Sequence, residues 1–217
     1  MPEYIVSFYE FNGLRLREFY FGLRQYDTKR SLSWAVSYSA NMKCLELTLA
    51  IIKPNATKVP HVVKAIRNRI LRSGFFVIKT SEVQLSLEEA EEFYKEHRGK
   101  FFYERLATFL ASGPVHVHVL AGFNSVILWR RILGPAKVYQ AKAEYPNSIR
   151  ALYGVTDTRN SAHGSDSEQS AIREIHFFFP HFDVDDWHSN KECYFQSCQV
   201  KLKENEFIHE ICPSARV

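Results

Sequence analysis

Residues 45–52 alternate apolar with polar side chains and then turn fully apolar, the pattern of a strand entering a core. Pro54 stops that strand. Pro60 suits the first position of a helix in which Val62, Val63, Ile66, Ile70 and Leu71 make one apolar stripe, ending at Gly74. Residues 75–83 read as a second strand. Ser86 and Glu89 spell a capping box ahead of a short acidic helix that reaches His97. A second helical stripe covers residues 102–110 and is cut by Ser112-Gly113-Pro114. Val115, Val117, Val119 and Ala121 fall on one face of a third strand. Residues 125–133 are helical, and Gly134-Pro135 ends that helix. Residues 134–162 show weak periodicity, and a loop of that length in a compact domain is usually functional. Ser165 and Glu168 spell another capping box, before a helix carrying Ile172, Ile175 and Phe178 and closed by Pro180. A short strand around His163 completes the order. The class is α+β: a ferredoxin-like βαββαβ plan with an antiparallel four-stranded sheet and extra helices.

The two ends read differently. Residues 1–43 hold ten aromatics without a sustained helical or strand period. Arg15, Arg17, Arg24, Lys29 and Arg30 suit a targeting peptide, whereas Glu3, Glu10, Glu18 and Asp27 oppose one, because such peptides are poor in acids. Cytoplasm and mitochondrion therefore both stay open. The plain expectation is an extension, 1–43, with little role in the fold, then a domain over 44–182 and a polar C-terminal tail over 183–217. Four dispersed cysteines are too few for a disulfide scaffold. Cys193 and Cys198 lack the spacing of a zinc site, and His116 and His118 on one strand face read as polar neighbours in a sheet. The longest apolar runs, such as 47–52 and 117–123, are too short or broken to span a bilayer, so no membrane is expected. A net charge of +4 suits phosphates at a local site and falls far short of a nucleic-acid coat; the basic helix face of Lys64, Arg67, Arg69 and Arg72 reads as solvated.

Three features carry chemistry. Lys53 closes a buried strand, where a lysine is expensive unless it meets an anion. Arg130, Arg150 and Arg159 flank the long loop. His163 lies at the mouth of a capped helix, a place that favours phosphate.

The segment R-N-S-A-H-G-S-D-S at 159–167 resembles the active-site signature of nucleoside diphosphate kinases. Lys53-Pro54, Ser112-Gly113-Pro114, Leu133-Gly134 and Ser148-Ile149-Arg150 fall where that family has similar words, so the resemblance spans about residues 45–182 in order. Residues 131–135 and 156–159 look most like its divergent sixth-type (group II) branch. The resemblance implies that His163 is the nucleophile that becomes phosphohistidine and that Glu174 orients it. Lys53, Arg130 and Arg150 would hold phosphates beside Tyr94, Phe102 and Leu106 would pack on the base, and Asn160 with Lys53 would reach the ribose. ATP and nucleoside diphosphates are the implied substrates, Mg2+ on their phosphates the implied cofactor, and no nucleic acid is expected. Stacking on Phe102 reads a π-face, so broad base tolerance follows. Departures also stand out. The family's Asp-Gly after Lys-Pro is Asn55-Ala56, a phosphate-binding threonine is Ala136, and the glycine after the second arginine is Ala151. They put a low-activity regulatory or partner-binding protein beside the enzyme as the alternative. The altered loop 134–145 leaves a homo-oligomer or a protein partner open.

Overall fold

The computed structural model describes residues 44–212, together with the backbone pairing of two short strands upstream. Those strands, β1 (Ser7–Phe11) and β2 (Leu14–Glu18), form an antiparallel hairpin that shares no sheet with the rest. No element was expected there, since Leu14-Arg15-Leu16-Arg17 alternates for too few positions to register.

The domain proper begins with β3 (Glu46–Ile52), followed by α1 (Pro54–Thr57) and α2 (Pro60–Arg72). Pro60 opens α2 as expected, and Val62, Val63, Ile66 and Ile70 are its buried stripe. β4 (Phe76–Val83) leads to α3 (Leu87–Phe93), whose start is the expected capping box: Glu89 N donates to Ser86 Oγ, and Ser86 N donates to the Glu89 carboxylate. A single 3-10 turn, Lys95–His97, connects to α4 (Tyr103–Ala111). β5 (Val115–Gly122) and α5 (Ser125–Leu133) follow. The stretch 134–162, expected as loop, contains α6 (Val138–Glu144) and α7 (Ile149–Tyr153), both too short to print a period. After β6 (Ala162–Gly164) comes α8 (Glu168–Phe178). Its cap is a correction: Ser167 accepts from Ser170 N, and Ser165, expected to cap with Glu168, is used elsewhere.

The four strands lie in the order β4-β5-β3-β6, all neighbours antiparallel, which is the ferredoxin-like sheet. Both of its faces are covered. Leu47, Leu49, Ile51, Val117, Val119 and Ala121 face a core closed by α3, α4 and α8. Ala50, Ile52 and Leu120 face the other core, closed by α2 and α5 through Ile66, Ile70, Trp129 and Leu133.

The polar segment 183–217 is built onto this body as far as residue 212. It forms α9 (Val184–Asp186), a π-helical turn at Trp187–Lys191, α10 (Glu192–Gln196) and a hairpin of β7 (Val200–Lys203) with β8 (Ile208–Ile211). Trp187 and Phe195 join the first core and Phe207 the second, all three buried. The buried Glu192 carboxylate accepts from Leu45 N, at the entrance to β3. Val77 N donates to His209 Nδ1 at 2.9 Å, and Thr80 Oγ1 donates to Phe207 O at 2.8 Å, so the hairpin sits against edge strand β4. Among the described residues, no helix is long and apolar enough to cross a membrane.

Candidate active site

Four elements meet at the β6 end of the sheet and wall a cleft of about 1700 Å³. Lys53, at the end of β3, and the segment around His163 form its floor. One wall is α4 with Phe102 and Leu106; the other is 134–137 with 156–160. Lys53, Tyr94, Phe102, Leu106, Arg130, Ala136, Arg150, Asn160 and His163 all line this cleft. Glu174 stands behind it, on α8.

β6 pairs with β3, placing His163 opposite Ile51 and so on the face covered by α3 and α8. There its ring meets the rings of Phe93 and Tyr94 edge-on, at centroid distances of 5.3 and 6.3 Å. Phe93 was not anticipated, because a phenylalanine in an amphipathic helix looks like any core residue. His163 Nε2 lies 3.0 Å from Glu174 Oε2, and the same oxygen accepts from Ser165 Oγ at 2.7 Å. Ser165 Oγ in turn accepts from Leu49 N at 3.2 Å. Its role was misread as a helix cap because Ser and Glu three residues apart also occur by chance. Burial opposes ionisation of Glu174, but the charge of His163, the hydrogen bonds from His163 and Ser165, and Arg173 outweigh it, and the carboxyl lies below its usual range. With Nε2 donating to a carboxylate, Nδ1 is the ring nitrogen that keeps its lone pair.

From the opposite face, Trp129 Nε1 donates to His163 O at 3.1 Å. A Cβ at Gly164 would fall 2.5 Å from Trp129 Cδ1, so this approach needs glycine. Neither Trp129 nor that reason for Gly164 was readable from spacing.

The cations are arranged in depth. Lys53 is buried, its Nζ donating to Asn160 Oδ1 at 2.9 Å; burial, then the nearby Arg150, pull its pKa down to about 7. Arg150 donates to Gly134 O at 2.7 Å and to Ala162 O at 3.2 Å. Burial and then Arg130 lower it to about 10 despite Tyr94, and its buried Nε has no partner among the described residues. Arg130 is half exposed and paired with Asp166. Arg159 lies exposed at the rim. Tyr94 is buried, and desolvation followed by Glu174 pushes its hydroxyl pKa up. Asn160 Nδ2 donates to Asp157 O at 2.9 Å and Ala136 O at 3.3 Å, which ties Lys53 to the far wall.

Phe102 is half-buried, flanked by the His97 ring at 5.6 Å and by Phe101 at 5.3 Å. The cleft thus presents the rings of Phe101 and Phe102 and the Leu106 side chain at its α4 end and cations at its His163 end. Of its three carboxylates, Asp166 is taken by Arg130, Asp157 caps Val138 N, and Glu104 stands on α4. Among the described residues, no three His, Cys, Asp or Glu side chains converge as a metal site.

The nucleoside diphosphate kinase family profile matches residues 46–184. Nucleoside diphosphate kinase 6 of Mus musculus is 43% identical over 167 residues, covering 77% of this chain and 88% of the relative. The Homo sapiens protein of the same description is 44% identical over 150 residues, covering 69% and 81%. A crystal structure of the Aquifex aeolicus nucleoside diphosphate kinase superposes with a TM-score of 0.60 at 38% identity, covering 62% of this chain and 95% of that one. With the match spanning the whole sheet and every wall of the cleft, this chain belongs to the nucleoside diphosphate kinase family.

Proposed function

We propose that the protein is an active nucleoside diphosphate kinase that moves the γ-phosphoryl group of ATP to a nucleoside diphosphate through His163. The observation that carries the reading is the His163 ring, tied through Nε2 to a buried, ionised Glu174 at the foot of a cationic cleft. Nδ1 attacks the γ-phosphorus, the bond to the β–γ bridging oxygen breaks, and ADP leaves with that electron pair. Glu174 holds the Nε2 proton and balances the positive charge that appears on the ring. A second diphosphate then enters the same cleft, and its terminal oxygen takes the phosphoryl group from Nδ1. Arg150 and Arg130 supply fixed positive charge around the phosphates, and Lys53, whose charged form a phosphate beside it would favour, joins them, with Tyr94 alongside. Phe102 and Leu106 offer the base an apolar platform, and Asn160 with Lys53 faces the sugar. Mg2+ carried on the phosphates supplies further charge neutralisation when bound.

The test is incubation with γ-labelled ATP. The expected result is acid-labile, base-stable label on the wild-type chain and none on His163→Ala. Label retained in His163→Ala, or a variant that still exchanges phosphate at the wild-type rate, rejects the assignment.

A second reading has its own support. Arg130 is engaged by Asp166, Arg150 is engaged by two carbonyls, and Ala136 brings no hydroxyl to the cleft. A chain with its cations so occupied suits a low-activity module that works through a second copy or a protein partner. Absence of label under saturating ATP selects this reading.

A further inference from the structure

Two side chains, Asn55 on the cleft lining and the buried Ser161, meet just ahead of His163. Ser161 is fully buried and adopts a left-handed backbone with φ of 71°. That region is uncommon for a residue with a side chain, so surrounding contacts must hold it there. Its carbonyl accepts from Lys53 N at 2.9 Å, and its hydroxyl donates to Tyr153 O at 2.6 Å. The hydroxyl proton is therefore already used. Asn55 Nδ2, 2.9 Å from the same oxygen, has to be the donor, which fixes the orientation of the amide. The amide also leans toward Tyr153 O at 3.5 Å. An aspartate at 55 would set a second acceptor against an oxygen with no proton left to give.

We propose that Asn55 is a positioning residue for His163 and acts through Ser161, an inference that rests on the kinase reading. The route is short. β6 has only three residues, so its register against β3 is fixed by little pairing of its own. Ser161 immediately precedes it, and a displacement there passes through Ala162 to His163. Asn55 projects from α1, which Pro54 starts directly at the end of β3. The turn from β3 into α1 thus grips Ser161 twice, by the Lys53 amide and by the Asn55 side chain. Asn55-Ala56, which looks in the sequence like a loss of the family's Asp-Gly, is half of a matched pair with Ser161.

The experiment compares full-length wild type with Asn55→Asp, Asn55→Ala, Ser161→Gly and the double variant Asn55→Ala/Ser161→Gly. Glycine takes positive φ freely, so Ser161→Gly removes the hydroxyl without straining the backbone and keeps the test open if an Asn55 variant folds poorly. The readout is the single-turnover rate of His163 phosphorylation across a range of ATP concentrations. Each single variant is expected to lower the saturating rate about tenfold or more, because a misplaced nucleophile loses its near-attack geometry. The ATP concentration giving half the rate is expected to move by less than about twofold. The double variant is expected to be no slower than the slower single. Saturating rates equal to wild type overturn the inference, as does a change in ATP dependence alone, which would make Asn55 a nucleotide contact. Losses that multiply in the double variant overturn it too. A wild-type chain that never labels removes the kinase reading and this inference with it, whereas a labelling wild type with unaffected variants removes the inference only.

Discussion

Lys53 ends β3 with its ammonium buried and a neutral amide oxygen, Asn160 Oδ1, as its hydrogen-bond partner. Burial and Arg150 both disfavour the charged form, and the pKa falls from 10.5 to about 7. Between those values the unfolded chain binds more protons than the folded one, so this residue makes stability rise with pH from about 7 to about 10.5. The penalty is fully present below pH 7 and fades above it. Lys53→Met should therefore raise the melting temperature at pH 7 and flatten that part of the pH profile, while removing nucleotide binding. Thermal melts with and without ADP across this pH range check both; a less stable variant at pH 7 would contradict the argument. Glu174 works in the opposite sense, its carboxyl being held ionised against burial by His163 and Ser165. Glu174→Gln keeps the shape and loses the charge. A charge-assisted bond is worth about 1.5–3 kcal/mol, so the labelling rate should fall about tenfold to a hundredfold, with ATP dependence little changed. At the rim, Ala136 exposes its methyl to the cleft. A hydroxyl there, in Ala136→Thr, should raise kcat/KM by a similar factor if that wall reaches the phosphates. Exchange kinetics showing no gain would hand the contact to a neighbour such as Lys137.

At the scale of elements, what the sequence made legible followed period and punctuation. Strands β3 and β5 and the helices α2 and α5 were readable because each repeats its apolar spacing and is closed by a nearby Gly or Pro. The signature around His163 and the strand-end lysine brought every cleft-lining candidate to one place, with Glu174 behind them. Besides the upstream hairpin of β1 and β2, three things were not readable. The capping serine of α8 lies two residues later than expected, because Ser165 serves the sheet and Glu174 instead of its helix. Helices α6 and α7 are too short to print a period. The segment 183–217 scatters its anchors, Trp187, Phe195 and Phe207, singly among polar residues, and their partners are distant in sequence. Burying each such aromatic contributes on the order of 1.5–3 kcal/mol. A chain ending at residue 182 also loses the bond from Leu45 N to Glu192. It should therefore melt well below the full chain, or fail to fold, and differential scanning calorimetry of the two distinguishes this from a passive tail, which would leave the transition where it was.

For the molecule as a whole, the sheet is covered on both faces by residues 44–212 alone. One face carries α3, α4 and α8 with Trp187 and Phe195; the other carries α2 and α5 with Phe207. Single-strand nucleic-acid binders of this plan present aromatics on a bare sheet, and among the described residues no such face is left. The edge strand β4 is flanked by the C-terminal hairpin through Val77, Thr80, His209 and Phe207. The upstream hairpin of β1 and β2 pairs within itself and lends no strand to the main sheet. A chain beginning at Met42 therefore retains the core and the whole cleft. Its melting temperature should stay within about 4–8 °C of the full chain, the shift that about 1 kcal/mol produces in a small domain. Its labelling by ATP should match the full chain in both rate and concentration dependence. Calorimetry and single-turnover labelling of the two proteins side by side provide the check. A larger drop in melting temperature would mean that the aromatic-rich extension packs on the kinase body. Unchanged melting with altered labelling would instead assign it a part in the catalytic cycle.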